Sequence, residues 1–297
     1  MANSRITIKR FLLFIALFLV LTSGALAGVF LSRPPVLIVT DLSFYALYGP
    51  DRFRQRQREI SLSLFRRVVP VTVAENAGPD LVAIAAEEAF REPWAVLFPY
   101  RYLAGARLFK ENNPEVPVLV MGGRNPKPSG LADTDIVFVR TDTSMDLYRA
   151  GVSAAFFAGE KNILIFDDGL LTEENREFLG ELLVSRGFYG ELLFRTRHAH
   201  IHNFAEIGSV ILTGPADRFL EQNLGIPMIL FSWIDPDFTP RTVKLVFDDS
   251  PWALAVKALR SGREGEILIP SAPKAISGRI SERGDFRKLR DLIQENF

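Results

Sequence analysis

The chain has 297 residues, with 35 Lys and Arg against 35 Asp and Glu, so it carries no global basic field of the kind that would point to nucleic acid. It contains no cysteine, which excludes disulfides, thiolate metal sites, a thiol nucleophile and a lipid-modified cysteine. A hydrophobic content of 48% over this length is enough for one large or two medium domains with a real core.

In chain order, the first ten residues carry Arg5, Lys9 and Arg10 and no acid; the first carboxylate is Asp41. An apolar run from Phe11 to Leu21 follows, then small residues including Ala25-Leu26-Ala27, then a second short apolar run to Leu31. A basic start, an apolar stretch and a small-x-small site read as a secretory signal. The span from Phe11 to Leu31 is also long enough, at about 21 residues, to cross a bilayer uncleaved. Either way the positive flank stays inside and the rest is sent out. Residues 1–33 are therefore expected to be a signal peptide or signal anchor, preceding a periplasmic or cell-surface protein.

Beyond residue 33 the chain alternates. Short apolar runs predict strands at Val36–Thr40, Val68–Val73, Ala95–Phe98, Val116–Met121, Asp135–Val139 and Asn162–Phe166. Further runs follow at Glu191–Phe194, Ser209–Thr213, Pro227–Phe231, Val243–Phe247 and Glu266–Ile269. Between most of them, apolar residues at spacings of three and four predict helices over Arg52–Arg67, Leu81–Arg91, Tyr100–Asn112, Ser144–Gly159, Thr172–Arg186, Ala216–Asn223 and Pro251–Ser261. Ser144 is the expected cap of its helix. The tail Arg283–Phe297 reads as a charged amphipathic helix on the surface.

Continuous apolar strands alternating with helices predict an α/β fold with parallel sheets covered on both faces. So many strands fit two doubly wound sheets better than one, with a hinge and a cleft between two domains. The Gly/Pro loop Gly122–Gly130, the turn Thr141–Ser144 and the stretch Asp235–Pro240 mark punctuation. The expected division is a first domain of 34–141 plus 236–297 and a second of 142–235.

The stretch from Asp146 to Asp167 reads Asp-Leu-Tyr-Arg-Ala-Gly-Val-Ser-Ala-Ala-Phe-Phe-Ala-Gly-Glu-Lys-Asn-Ile-Leu-Ile-Phe-Asp. It resembles the opening of the second domain in type I periplasmic solute-binding proteins, an acidic loop and an Ala-Gly helix followed by a strand. Asp167-Asp168-Gly169 and the helix Thr172–Arg186, closing before Gly187-Phe188, continue the resemblance. Lys244 to Gly262 is similar to the segment in which a strand and helix return to the first domain, and the order of elements fits over 36–270. The segment after the first strand, Asp41-Leu-Ser-Phe-Tyr45, carries no ligand signature of that family. The resemblance implies an exported receptor that clamps a sugar, nucleoside or similar solute between two domains, with a membrane permease as a possible partner.

In open parallel sheets the ligand sits beyond the carboxyl ends of the strands. That rule selects Asp41, Tyr45, Pro99, Tyr100 and Arg124 in the first domain and Asp142 at the crossing. In the second domain it selects Asp168, Gly214 and Trp233, and after the return strand Asp249 and Trp252. The expected ligand-binding set is Asp41, Tyr45, Tyr100, Arg124, Asp142, Asp168, Trp233 and Asp249. Aromatic faces stack on sugars or bases, while Asp and Arg fix hydroxyls or charges. An Asp after a strand is also a common helix cap.

All three histidines fall in Arg197-His-Ala-His-Ile-His202. On an extended chain His198, His200 and His202 share one face, and alternate imidazoles can share a zinc ion. At about 3.3 Å per residue, however, one ion would hold two of them more easily than three. An exposed polar strand end and a pH-responsive patch are the other readings. No cofactor is otherwise expected. The chain has no Gly-x-Ser-x-Gly elbow, no phosphate-binding loop and no His-Glu-x-x-His, and Asp167-Asp168 and Asp248-Asp249 lack the alternate spacing that points two carboxylates the same way. A non-enzymatic binding protein is the expectation. The alternatives are an envelope scaffold or sensor on the same fold, a histidine-cluster metal-binding protein and, behind them, a hydrolase.

Overall fold

In a computed structural model the residues described are 15, 18, 20–22, 24, 28, 32–43, 66–125, 127–129, 131, 135–167, 169, 171–196, 204–213, 225–231, 240–261, 265–275 and 283–294. The first sheet is built from β1 (Val36–Thr40), β2 (Val68–Thr72), β3 (Ala95–Pro99), β4 (Val118–Gly123), β5 (Ile136–Thr141) and β11 (Glu266–Ile269). Its order is β11-β5-β4-β3-β1-β2, and every pairing in it is parallel. The second sheet contains β6 (Asn162–Phe166), β7 (Leu192–Arg195), β8 (Ile207–Leu212), β9 (Met228–Leu230), β10 (Val243–Asp248) and β12 (Ala272–Ala275), in the order β12-β10-β9-β8-β6-β7.

The strands read as unbroken apolar runs because both faces of each sheet are covered. In β1, Leu37 and Val39 point into a cluster with α1 (Pro79–Ala89) and α2 (Leu103–Asn112), through Val82, Ala86, Ala106 and Phe109. Val36 and Ile38 point the other way, into a cluster with Leu254, Ala255 and Ala258 of α5 (Pro251–Ser261). The second sheet repeats the plan. Ile163 and Ile165 face α3 (Thr143–Ala158), α4 (Glu173–Ser185) and α6 (Arg283–Gln294), while Leu164 joins Val210, Met228 and Leu230 on the opposite face.

Two expectations are corrected. The division at 236 does not follow the sheets: β10 pairs with β9, β12 pairs with β10, and α6 packs on α3, so all three belong to the second sheet. Only α5 and β11 return to the first. Strand β12 was not expected, because Ala-Pro-Lys-Ala carries no apolar run, and it pairs antiparallel, so the second sheet is parallel except at that edge. The terminal helix is amphipathic as expected, with Arg287, Lys288, Arg290 and Asp291 exposed while Leu289 and Ile293 are buried in the second core.

The predicted helices over Arg52–Arg67 and Ala216–Asn223 lie wholly or largely outside the described residues. So does most of the N-terminal segment, of which Ile15, Phe18, Val20 and Leu21 are described and exposed. Among the described residues no helix is long and apolar enough to cross a membrane.

Among the described residues the chain passes between the sheets at three short crossings. β5 ends at Thr141 and α3, which packs on the second sheet, begins at Thr143. β10 ends at Asp248 and α5, which packs on the first, begins at Pro251. β11 ends at Ile269 and β12 begins at Ala272. Each crossing leaves from the carboxyl end of a strand. Connections this short force the carboxyl ends of both sheets toward one seam, the place where open parallel sheets take ligands.

Candidate functional site

At the seam the deciding side chain is Arg124. The strand β4 runs out through Gly122 and Gly123, and a Cβ on Gly122 would lie 2.4 Å from the buried Phe138 ring. Gly123 takes a left-handed conformation at φ 58°, open to glycine without strain. Asn125 closes the turn, its backbone N–H and its side-chain amide both donating to the Gly122 carbonyl, at 3.0 and 2.8 Å. This turn lifts Arg124 off the first sheet and across the crossings.

The Arg124 guanidinium is shared by two carboxylates. Nη2 donates to Asp146 Oδ2 at 3.1 Å, and Nε donates to Asp249 Oδ2 at 3.2 Å. Its carbon lies 3.9 Å from the ring centroid of Phe231, the residue after β9 of the second sheet, a cation–π stack. Nη1 is buried and has no hydrogen-bond partner among the described residues. One side chain of the first sheet thus touches α3, the second crossing and the second sheet.

Asp146, fully buried in the first turn of α3, ties in the third crossing. Ser271 donates to it twice, from N to Oδ1 at 2.8 Å and from Oγ to Oδ2 at 2.5 Å. Burial pushes its carboxyl up from 3.8 to about 6, against the opposing pull of Arg124 and the Ser271 hydrogen bonds. Lys257 of α5 donates to the Pro270 carbonyl at 2.7 Å, and burial lowers its pKa, with Arg149 adding to the effect. The seam is therefore a compensated set of charges, a guanidinium held between carboxylates over an aromatic face.

In sequence, no protein-family model and no curated protein matches this chain. In structure, a solute-binding protein of an ABC transporter system from Conexibacter woesei is similar at a TM-score of 0.55 and 10% identity, over 89% of this chain and 95% of that one. A transcriptional activator of the comK gene from Bacillus halodurans gives 0.54 and 10% identity, over 88% and 96%. A periplasmic solute-binding protein of an ABC transporter from Actinobacillus succinogenes, solved with bound D-allose, gives 0.52 and 10% identity, over 83% and 99%. The fold is that of the type I periplasmic solute-binding proteins.

Within this periplasmic-binding fold the sequence-predicted residues fall into three groups. Arg124 and Asp249 meet at the seam, as above. Asp142 lies in the first crossing. Its carboxylate accepts from the Met145 N–H at 3.0 Å, so Asp142 caps α3 in place of the expected Ser144. Its own N–H donates to the Ile269 carbonyl at 2.9 Å, joining the first and third crossings.

Asp41 and Tyr100 sit further along the first sheet, away from Arg124. Asp41 is fully buried after β1 and accepts from the Tyr102 hydroxyl and from Ser43 Oγ at 2.7 Å, with Arg101 Nη1 at 3.0 Å. Burial, then Asp41, push the Tyr102 phenol up to about 12. Its partners commit Asp41 to holding the β1 and β3 ends together. Tyr100, half-buried, turns its ring edge-on to Phe138 at 6.0 Å and packs on the core.

Tyr45, Asp168, Trp233 and Gly214 lie outside the described residues, as do His198, His200 and His202. Among the described residues no group of three His, Asp or Glu is placed to hold a metal ion.

Sequence reasoning missed Asp146, Ser271 and Phe231 at the seam, and Arg101 and Tyr102 around Asp41. Asp146 looked like an ordinary acid in a first helical turn. Ser271 sits in a crossing that was not recognised without β12. The signal for Phe231 was available, since it closes the predicted strand Pro227–Phe231 and so stands at a strand's carboxyl end.

Proposed function

We propose that the chain is an exported receptor that binds a small, uncharged polar solute, such as a sugar or nucleoside, between its two sheets. The observation that carries this reading is Arg124, a guanidinium stacked on Phe231 with one buried nitrogen unpartnered among the described residues. A hydroxyl-rich ligand can accept from such a group and offer its own hydroxyls to carboxylates beside it. The two acids outnumber the cation they share, which favours a neutral solute over an anion. Asp249 and Asp142 are the nearby acids in this reading.

The bound D-allose of the Actinobacillus succinogenes protein supports a sugar-like ligand. The basic, apolar N-terminus supports export and attachment to the membrane, where a permease is the natural partner. In this reading the chain is not an enzyme and needs no cofactor, and zinc at the histidine stretch is a separate, weaker proposal.

The test is a thermal-shift screen of the full chain in detergent against D-allose and other pentoses and hexoses, nucleosides, amino acids, and zinc with and without chelator. Binding at a hundredfold excess over Kd stabilises by about 2.7 kcal/mol. A shift of several degrees with one neutral solute class supports the reading, and Arg124→Ala should abolish it. A flat screen would overturn it, and a shift with zinc alone would move the weight to the histidine stretch.

A second reading is a sensor or scaffold that has no solute. It is favoured by the engagement of Arg124 with Asp146 and Asp249, which closes the seam with the protein's own charges. A transcriptional activator of the comK gene from Bacillus halodurans shares the fold.

A further inference from the structure

The seam uses the carboxyl ends of the first sheet and leaves the amino ends to something else. There the parallel strands begin together, Val36 of β1 standing opposite Val68 of β2 and Ala95 of β3. Helix α5 packs over β4, β5 and β11 of the same sheet, burying Leu254, Ala255 and Ala258. Between its flank and the strand starts lies a pocket of about 360 Å³, within the range of about 300–1,000 Å³ usual for ligand clefts. Val36, Val68, Trp94, Val256 and Leu259 form its apolar wall, and Arg66 and Arg260 are the charged residues among the described residues that line it. Val68, Trp94, Val256 and Leu259 are only half-buried, so core packing ends at them and leaves apolar surface facing a hollow. The guanidinium carbon of Arg66 lies 5.0 Å from the centre of the Trp94 ring, a cation–π stack. Arg260 stands exposed in the last turn of α5.

We propose that this pocket is a second ligand site, for an amphiphilic anion whose head is met by Arg66 and Arg260 and whose hydrocarbon body lies along Val36, Val68, Val256 and Leu259. A sugar would leave the apolar wall poorly used, and a bare inorganic anion would leave it wet. A molecule with one anionic head and a hydrocarbon body covers the wall and gives both cations an acceptor. Trp94 adds a flat apolar face beside the head, as amphipathic aromatics do where apolar and charged surroundings meet. Two sources carry this chemistry: a free medium-chain carboxylate, and the headgroup and first methylenes of an anionic phospholipid. The second source rests on reading residues 1–33 as a membrane tether, because the chain enters the first sheet at Val36, in the wall of this pocket. The first source does not depend on that reading.

The test titrates the full chain, held with phosphatidylcholine nanodiscs and no other solute, with ω-bromoundecanoate, whose bromine quenches nearby tryptophan fluorescence. The part of the quenching that disappears in Trp94→Phe belongs to this pocket, since Trp233 and Trp252 remain. It should saturate, and it should weaken at least about tenfold when Arg66→Gln and Arg260→Gln are combined. Val256→Phe, which puts a ring into the hollow, should reduce it as well. ω-Bromoundecanol, with the same body and no charge, should bind at least about tenfold more weakly than the acid. Discs made with brominated phosphatidylglycerol or brominated phosphatidylcholine separate the sources. Quenching of Trp94 by the anionic lipid and not by the zwitterionic one supports a membrane ligand, and quenching by the free acid alone supports a soluble one. No Trp94-dependent quenching by either anion, equal binding of acid and alcohol, or a doubly substituted variant that binds as the parent does would each overturn the proposal. None of these outcomes bears on whether the seam takes a solute.

Discussion

Asp146 and Ser271 grip each other at two points across 125 positions of sequence, the Ser271 backbone N–H and its hydroxyl each donating to a different carboxylate oxygen. The pair fixes the third crossing to the helix that follows the first. Removing the hydroxyl in Ser271→Ala leaves one of the two bonds. The expected cost is about 1–2 kcal/mol of folding stability near neutral pH, measurable by urea denaturation. Because the lost bond favoured the charged form, the Asp146 carboxyl should also titrate higher than in the parent.

Tyr102 and Asp41 give a prediction at the other end of the pH scale. The folded-state pKa of Tyr102, pushed up to about 12, exceeds its ordinary value of 10.0. For an acid raised in this way, the stability its proton contributes is complete below the ordinary value and is lost as pH rises through the folded one. In an absorbance titration of the tyrosines Tyr102 should therefore ionise late, and Tyr102→Phe should remove that late step. The same variant should lose about 1–3 kcal/mol, since it strips a donor from a buried carboxylate.

Gly122 is held by the ring behind it. In Gly122→Ala the new Cβ would fall 2.4 Å from the Phe138 ring, whose side chain is fully buried and has nowhere to go. Overpacking of this kind costs about 1–3 kcal/mol. The displaced turn should also carry Arg124 off Phe231, so fluorine NMR of labelled phenylalanines should show Phe231 shifted along with Phe138.

The terminal helix tests where the second core ends. Leu289 is fully buried against the α3 side of the second sheet, and Leu289→Ala should cost about 2–5 kcal/mol in denaturant unfolding. A change of a few tenths would mean the helix packs only loosely.

Much of the fold was legible because the strands are buried on both sides. Val36–Thr40 and Asn162–Phe166 stand where their unbroken apolar runs put them, and the alternation with helices fixed the two parallel sheets. What could not be read was which sheet a strand joins. Val243–Asp248 is as apolar as any strand of the first sheet, and only its pairing with Met228–Leu230 assigns it to the second. Ala272–Ala275 holds its place through backbone hydrogen bonds at an edge, where no apolar pattern is required. At the site, Arg124 and Asp249 were found by the rule that ligands gather past strand ends. Asp41 satisfied the same rule and proved to be engaged by Ser43, two residues on, and by Arg101 and Tyr102, which arrive from sequence positions no local pattern connects.

An odd number of crossings has a mechanical consequence. A chain that passes three times between two bodies must begin on one and finish on the other: here β1 opens the first sheet and the terminal helix closes on the second. A tether attached upstream of Val36 would therefore hold the first sheet directly and reach the second only through the crossings. The helix α6 packs on that second half, so a fluorophore on its exposed Arg287 would read the position of the second sheet relative to any such tether.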